Sequence, residues 1–444
     1  MEIKTLDGIA QLVDRQVNST VHITGIAVDS RSVNPGELFW ALKGERTDGH
    51  CFLDRAFYNG AAAAVVDASY RGPDFGRPLL VVEDTFAALQ ECAMRVIRRR
   101  KSRVVAVTGS LGKTTAKEFI TTLLGVKYQV SSSPGNGNSQ VGMPLSILNH
   151  TSGKEEILVL EMGMTVAGNI KALTRIAPPE VAIVTNVSLV HACNFQSAEE
   201  IAFAKGEIFC QPETKIGVIP YDSPHHVLLT RQGDCEKRTV SIESPRADYF
   251  LDPKGYLTDR PGKTAFLTGA PPLLGSHNRY NFLTAAAVAL YFNVSLEEIA
   301  LQVPNLRLPD KRLQIIRHKG ICFINDAYNA AEDSVKGALE AMPHPGPGGR
   351  KIAVLGGMAE LGKFSFECHT RVGEYALNRV ESVYCLGEEC GPICEIFLRA
   401  GKKAELFFER ERLVEKLRAF LRPSDVVLLK GSNSKELWKI VEEF

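Results

Sequence analysis

Short runs of consecutive apolar residues recur along the chain: RVVAVTG, EILVLEMG, VAIVTNVS and KIGVIP, then ICFINDAY, KIAVLGGM, SVYCLG and DVVLLKGS. An alternating pattern suits a sheet with one wet face; a continuous one suits strands buried on both faces of a parallel sheet. Helix-like sequence follows each run, so the order reads as repeated βαβ units and an α/β fold. Two seams interrupt the rhythm. The helical stretch from Thr85 to Lys101 ends in a cationic cluster, favourable at a helix C-terminus, and a strand begins at once with Arg103. Later, Pro304 and Pro309 break VPNLRLPDKRLQ ahead of the strand ICFIND. The expected organisation is three α/β units at 1–101, 102–309 and 310–444, with PHPGPGGR a loop inside the last.

Length supports that division, because 444 residues exceed what one hydrophobic core organises. Hydrophobic content of 45% and charged content of 23% are those of a soluble globular protein. A net charge of +1 argues against a polyanionic partner such as a nucleic acid, while small anions need only local charge. No apolar run reaches the roughly 18 residues of a membrane span. The opening MEIKTLDGIAQLVDR carries acids early and has no apolar segment, so it does not read as a signal peptide. A cytoplasmic protein with no membrane partner is expected, monomeric by default. Ten cysteines are scattered without C-x-x-C pairs. Cys385, Cys390 and Cys394 are the closest trio, but no fourth ligand lies nearby, and buried reduced thiols are expected.

Candidate chemistry begins at VVAVTGSLGKTTAKEF, residues 104–119. A phosphate-binding loop is usually G-x-x-x-x-G-K-S/T between a strand and a helix. Gly112, Lys113 and Thr114 are in place, but Val107 holds the first glycine position and a glycine arrives late, at Gly109. Backbone N–H groups from Gly109, Ser110, Leu111 and Gly112 into Lys113, Thr114 and Thr115 would meet an anion at the helix start. Lys113 would neutralise phosphate charge, and the Thr114 hydroxyl could face magnesium. Glu161 ends the apolar strand EILVLEMG, where an open α/β sheet places its ligands. Asn186 and His191 follow another strand end. Lys205 in FAKGEIF reads on composition as a lysine snorkelling from an apolar helix. SSSPGNGNSQVGMPLSILN is too polar and glycine-rich for a core and reads as a functional loop. Asn278 and Asn281 open an Ala-rich helix, where capping explains only one of them.

In this order, TGSLGKTT, KGEIF, DAYNA and GGMAELG resemble the Mur ligases, ATP-dependent amide-bond formers of peptidoglycan synthesis, and within them the dipeptide-adding branch. That family's loop is T-G-x-x-G-K-T, in which Gly109 makes the turn and Val107 is ordinary. VDSRSVNPGELFWALKGERTDGHCF, residues 28–52, resembles the segment that holds a UDP-sugar. The resemblance implies three domains: an N-terminal UDP-substrate domain, a central P-loop mononucleotide-binding sheet and a Rossmann-like C-terminal domain. It implies ATP and Mg²⁺, and D-alanyl-D-alanine joined to UDP-N-acetylmuramoyl-tripeptide through an acyl phosphate. By the same resemblance Lys113, Glu161, His191 and Lys205 are catalytic, Lys205 as a carbamylated lysine and His191 at a second magnesium. Asn278 is implied at the adenine, Arg312 at the γ-phosphate and Asp326 near the ribose. Tyr328, Asn329, Lys430 and Ser432 fall to the dipeptide side, and Ser30 and Arg31 to the UDP moiety. A hinge near Leu308 to Lys311 and an open ligand-free form are expected. The sequence departs from the family at Ser139 and Gln140, which replace an asparagine and its neighbour, and at Ala331 and Glu332, which replace Asn-Pro. Rival readings are another ligase of the superfamily, such as a third-residue or folylpolyglutamate ligase, and a P-loop nucleotide switch.

Overall fold

The computed structural model describes residues 4–44, 47–135, 137–189, 192–260, 262–267 and 275–444. Three sheets follow one another along the chain. The first is a small parallel sheet of β1 (Ile26–Ala27), β2 (Leu38–Trp40), β3 (Ala63–Asp67) and β4 (Leu79–Val82) in that order. The second contains β5 (Arg103–Thr108), β6 (Val130–Ser132), β7 (Ile157–Glu161), β8 (Val181–Val184), β9 (Ile216–Pro220), β10 (Glu236–Ser241), β11 (Tyr249–Leu251), β12 (Tyr256–Thr258) and β13 (Thr264–Phe266), ordered β13-β12-β11-β10-β9-β8-β5-β7-β6. It is parallel from β6 to β11 and antiparallel only at the β11–β12–β13 edge. The third contains β14 (Gln314–His318), β15 (Ile321–Asn325), β16 (Lys351–Gly356), β17 (Ser382–Leu386), β18 (Lys403–Phe407) and β19 (Val426–Lys430), ordered β14-β15-β19-β16-β17-β18, with β14 alone antiparallel.

The eight apolar runs form β5, β7, β8, β9, β15, β16, β17 and β19, all in parallel pairs and buried along nearly their whole length. Burial on both faces is what removes the alternation from their sequences. In the central sheet β5 is the strand of reversal, flanked by β7 on one side and β8 on the other. Ligands of open α/β sheets collect beyond the C-terminal ends of such strands.

How the units meet bears on the site. Helix Thr85–Arg99 follows β4, is capped by Asp84 accepting from Ala87 N at 2.9 Å, and buries Leu89, Cys92, Ala93 and Val96. One apolar core runs from Leu6 through this helix to Ala106, Met143 and Ile201, so the first sheet and one face of the central sheet share an interior. The third sheet has its own two cores. It meets the central sheet through polar contacts: Arg312 Nη2 donates to Thr114 Oγ1 at 3.1 Å, Cys193 N to Glu360 O at 3.1 Å, and Lys363 Nζ to Gln196 Oε1 at 3.0 Å. These contacts bridge the two units beside the phosphate loop. Near the expected hinge, Lys311 and Leu313 hold φ angles of 59° and 50°, left-handed values that L-residues adopt at a cost.

The third unit carries an ion pair whose carboxylate is fully buried and whose guanidinium is mostly so. Asp425 accepts from Arg350 Nη2 at 2.6 Å and Nε at 3.1 Å, and from the backbone of Arg350 and Arg422. Burial pushes the Asp425 carboxyl up, but Arg350 and the two N–H groups outweigh it and hold it below the usual carboxylate value. Asp425→Ala, which strands the guanidinium, is expected to cost about 3–5 kcal/mol in denaturant unfolding. In the wild type this contribution is complete above the unfolded carboxylate pKa of about 3.9 and is lost as pH falls through the lower folded value.

Candidate functional site

The phosphate loop leaves β5 at Thr108 and enters helix Lys113–Leu124. Glycine is required at both bends. Gly109 has φ +149°, and a Cβ there would lie 1.9 Å from Thr185 Oγ1; Gly112 has φ +81°, and its Cβ would lie 2.3 Å from Asn281 Oδ1. Ser110 fastens the loop to the segment after β8, its N–H donating to Asn186 O at 2.8 Å and its hydroxyl to Ser188 O at 2.9 Å. Gly109→Ala is expected to lower stability by roughly 1–3 kcal/mol through this collision, and to weaken nucleotide binding in proportion as the loop is displaced. Thermal unfolding and ADP calorimetry measure the two effects.

Two side chains meet the carboxylate of Glu161, the last residue of β7, which is 2% exposed. Thr114 Oγ1 donates to its Oε2 at 2.9 Å and Asn138 Nδ2 to its Oε1 at 2.8 Å, while Arg312 reaches Thr114 from the third unit. The Arg312 guanidinium also lies 4.3 Å from the centre of the Tyr328 ring. Among the described residues no three His, Cys, Asp or Glu side chains form a metal cage. A hydroxyl and a carboxylate beside a phosphate loop are hard oxygen donors too few to enclose an ion alone. That fits Mg²⁺, which keeps water and phosphate ligands.

Two cavities flank the loop. The larger, of about 570 Å³, is reached over Leu111, Gly112 and Thr115 and is lined by Asn278 and Asn281 of helix Ser276–Tyr291 and by Arg312 and Asp326 of the third unit. The smaller, of about 360 Å³, is lined by Gly109, Lys113, Asn138, Ser139, Gln140 and Lys205 among others. Lys113 Nζ donates to Gly109 O at 2.8 Å. Burial lowers its pKa, with Glu161 opposing and Arg312 adding to the shift. Lys205 is 4% exposed and forms no hydrogen bond or ion pair with a described residue. Burial first, then the neighbouring Lys113 ammonium, push its pKa well below that of an ordinary lysine. The snorkelling expected of Lys205 from composition is thus not what the fold does with it: the amine is held inside, beside the loop.

The remaining candidates separate by place. Tyr328, Asn329 and Lys430 line the larger cavity together with Asn278 and Asp326. Lys430 is 3% exposed and pairs with Asp326 Oδ2 at 2.7 Å, while also donating to Asn329 O at 2.6 Å and Asp326 O at 3.2 Å. Ser432, expected to face the cleft, lines neither cavity; its hydroxyl lies 3.2 Å from that of Ser434, because the chain turns away after β19. Ser30 is buried, its carbonyl accepting from Asn59 Nδ2 at 2.8 Å, and the exposed Arg31 pairs with Asp29 at 2.6 Å; neither lines these cavities. His191 lies outside the described residues. Cys385, Cys390 and Cys394 are buried and free.

At the departures from the family pattern, Ser139 Oγ accepts from Gly142 N at 3.0 Å and starts helix Gly142–His150, while Gln140 O accepts from Gln90 Nε2 at 3.2 Å. Glu332 pairs with Lys336 at 2.6 Å and Arg371 at 2.9 Å. Two contributors escaped the sequence reading. Asn138 lay within the loop marked as functional but was not singled out. Asp222, which accepts from Ser241 Oγ at 2.5 Å and from the Tyr280 hydroxyl at the wall of the larger cavity, carries no local motif. No helix among the described residues is long and apolar enough to cross a membrane.

Three family models match the chain in succession: Mur ligase family, catalytic domain, over residues 22–96; Mur ligase middle domain over 107–289; and Mur ligase, glutamate ligase domain, over 311–433. The chain is 34% identical to the UDP-N-acetylmuramoyl-tripeptide–D-alanyl-D-alanine ligase of Bacillus subtilis, covering 99% of this chain and 98% of the relative. Its structure is similar to that of MurF from Acinetobacter baumannii, with a TM-score of 0.86 and 26% identity over 99% of this chain and 98% of the other. It is also similar to MurF ligase from Thermotoga maritima in complex with ADP, with a TM-score of 0.81 and 30% identity over 95% and 96%.

Proposed function

The chain belongs to the Mur ligase family, and on that premise we propose that it joins D-alanyl-D-alanine to UDP-N-acetylmuramoyl-tripeptide, converting ATP to ADP and phosphate. The observation that carries this reading is the phosphate loop standing between two cavities, with Leu111, Gly112 and Thr115 toward one and Gly109 and Lys113 toward the other. A nucleotide held on one side can present its γ-phosphate to an acid held on the other. A simple nucleotide switch has no need of the second chamber. On this reading the chain divides at 101 and 309, with the UDP substrate on the first unit, ATP on the central one, and the last closing over ATP from the dipeptide side.

A carboxylate resists amines because its charge repels them and oxide is a poor leaving group. The remedy is phosphorylation. ATP lies in the larger cavity, adenine against Asn278, ribose near Asp326, and phosphates on the loop N–H groups from Gly109 to Thr115. The terminal carboxylate of the tripeptide attacks the γ-phosphorus; an O–P bond forms as the bond to ADP breaks, leaving an acyl phosphate. Lys113 and Arg312 neutralise charge on the phosphates, and positioning does most of the rest. The amine of D-alanyl-D-alanine then attacks the acyl carbon and loses a proton, and phosphate departs with its bridging oxygen. Tyr328 and Asn329 stand on the loop that faces the incoming dipeptide. Lys430 has its hydrogens committed to Asp326 and two carbonyls, so its part is to hold that loop. Ser30 and Arg31 serve the UDP end.

Thr114 and Glu161 would hold a magnesium ion, which supplies further charge neutralisation at the phosphates. His191 is proposed beside a second ion. The neutral amine of Lys205 can take up carbon dioxide with loss of a proton, and the resulting carbamate would present two oxygens sharing one negative charge to the same place. The test is direct: UDP-N-acetylmuramoyl-tripeptide, D-alanyl-D-alanine, ATP and magnesium are mixed, and the pentapeptide is sought by mass. Product that requires all four is expected; ATP consumption indifferent to either peptide substrate would defeat the proposal.

A further inference from the structure

Lys117 lies one turn beyond Lys113 on helix Lys113–Leu124, and the chemistry above makes no use of it. Its side chain is completely buried, uncommon for a lysine. The ammonium donates to Ser133 O and, at 3.2 Å, to Gly135 O, and lies 3.3 Å from Glu118 Oε1. Two of its hydrogens are matched by backbone carbonyls, and the Glu118 carboxylate balances its charge.

Both carbonyls belong to the glycine-rich loop between β6 and helix Gly142–His150. Gly135 adopts φ +53°, and with Gly137 it gives the segment little side-chain packing of its own. Three residues after Gly135, Asn138 meets β7: its Nδ2 donates to Glu161 Oε1 at 2.8 Å and its carbonyl accepts from Gly163 N at 2.7 Å. At the other end Ser133 Oγ accepts from Glu161 N at 3.2 Å. The same helix reaches the same carboxylate twice, directly through Thr114 and indirectly through Lys117 and the loop. A purely structural staple would explain the two carbonyl contacts; it would not explain why the stapled segment ends on the carboxylate that Thr114 of the phosphate loop also reaches.

We propose that Lys117 is a positioning residue: by pinning the carbonyls of Ser133 and Gly135 it holds Asn138 against Glu161, fixing the direction in which that carboxylate faces the nucleotide phosphates and their cation. The proposal rests on the reading of the site given above. Lys117→Met keeps the volume of the stem and donates nothing. Asn138→Ala cuts the same path at its far end.

The experiment is calorimetric titration of the full chain with a non-hydrolysable ATP analogue, with and without magnesium, for the wild type, each single variant and the double variant. Without magnesium all four are expected to bind alike, because the adenine and ribose contacts lie in the other cavity. With magnesium the wild type gains affinity. Each single variant is expected to lose about tenfold to a hundredfold of that gain, and the double variant no more than either single, as residues on one path do. Lys117→Met that keeps the wild-type gain, or a double variant whose loss is the product of the two singles, overturns the proposal alone. A wild type with no magnesium gain overturns the phosphate-site reading as well. Should Lys117→Met not fold, Asn138→Ala, which leaves the lysine in place and cuts the path at Glu161, decides the matter: loss of the gain is expected, and retention overturns the assignment.

Discussion

Lys113→Ala is expected to reduce ligation by roughly a thousandfold or more while the protein stays folded, an effect of the size seen when one cationic group is removed from a transferring phosphoryl. Lys113 starts the helix at the phosphate loop and lines the smaller cavity, and on the proposed reading its ammonium meets the γ-phosphate there. Backbone N–H groups alone would leave most of the phosphate charge uncompensated. Its hydrogen bond to Gly109 O is local, and the buried Glu161 nearby keeps the donors Thr114 and Asn138 when the ammonium is removed. Thermal unfolding should therefore move little, and ADP, whose adenine is proposed to lie in the larger cavity, should bind within about tenfold of wild type. Turnover in Lys113→Ala within tenfold of wild type would remove the residue from the role assigned to it.

The second large effect concerns Lys205, where activity and stability are expected to move in opposite directions. Lys205→Met should lose at least about a hundredfold in turnover, the scale on which groups supporting a metal site matter. It should also unfold at higher temperature near neutral pH, because a buried amine beside another ammonium is unfavourable. The sign follows from proton binding. A lysine whose folded pKa is depressed binds fewer protons folded than unfolded, so its penalty to stability shrinks as pH rises toward the unfolded value of about 10.4. Isotopically labelled bicarbonate gives a separate readout: a carbamate resonance in the wild type that is missing in Lys205→Met. A variant with full turnover, or a wild type with no carbamate signal at any pH where it is active, would contradict this part of the account.

These side chains differ in how far the sequence reveals them. Gly109, Gly112, Lys113 and Thr114 are legible because one short covalent stretch contains the turn, the cation and the helix start. Glu161 is legible from its position at the end of an apolar strand. The parallel strands share that advantage, since burial on both faces writes a continuous apolar run. The strands β10 to β14 and β18 leave no such mark: they are short or lie near sheet edges, and EKRTVS in β10 is mostly polar. The strands of the first sheet are equally faint, β1 having two residues and β2 three. Lys205 shows why local reading runs out. Its apolar neighbours suit a snorkelling lysine equally well, and only the packing of helix Ala198–Gly206 beside the phosphate loop turns the amine inward. Asn138 and Asp222 act through partners distant in sequence, Glu161 and Tyr280, which no spacing rule links. For Tyr328, Asn329 and Ser432 the resemblance supplied a side of the cleft, and the fold separates them: the first two enter the larger cavity and Ser432 stays beneath the surface beside Ser434.

The central claim is that the phosphate loop serves to make an acid reactive by transferring phosphate to it. Labelling both oxygens of the tripeptide's terminal carboxylate with heavy oxygen, and then examining the phosphate released during ligation, tests that claim most directly. The account predicts one labelled oxygen in each phosphate, carried there by the attacking carboxylate and kept when the amine displaces it. Phosphate that leaves unlabelled while the amide bond is made would contradict it.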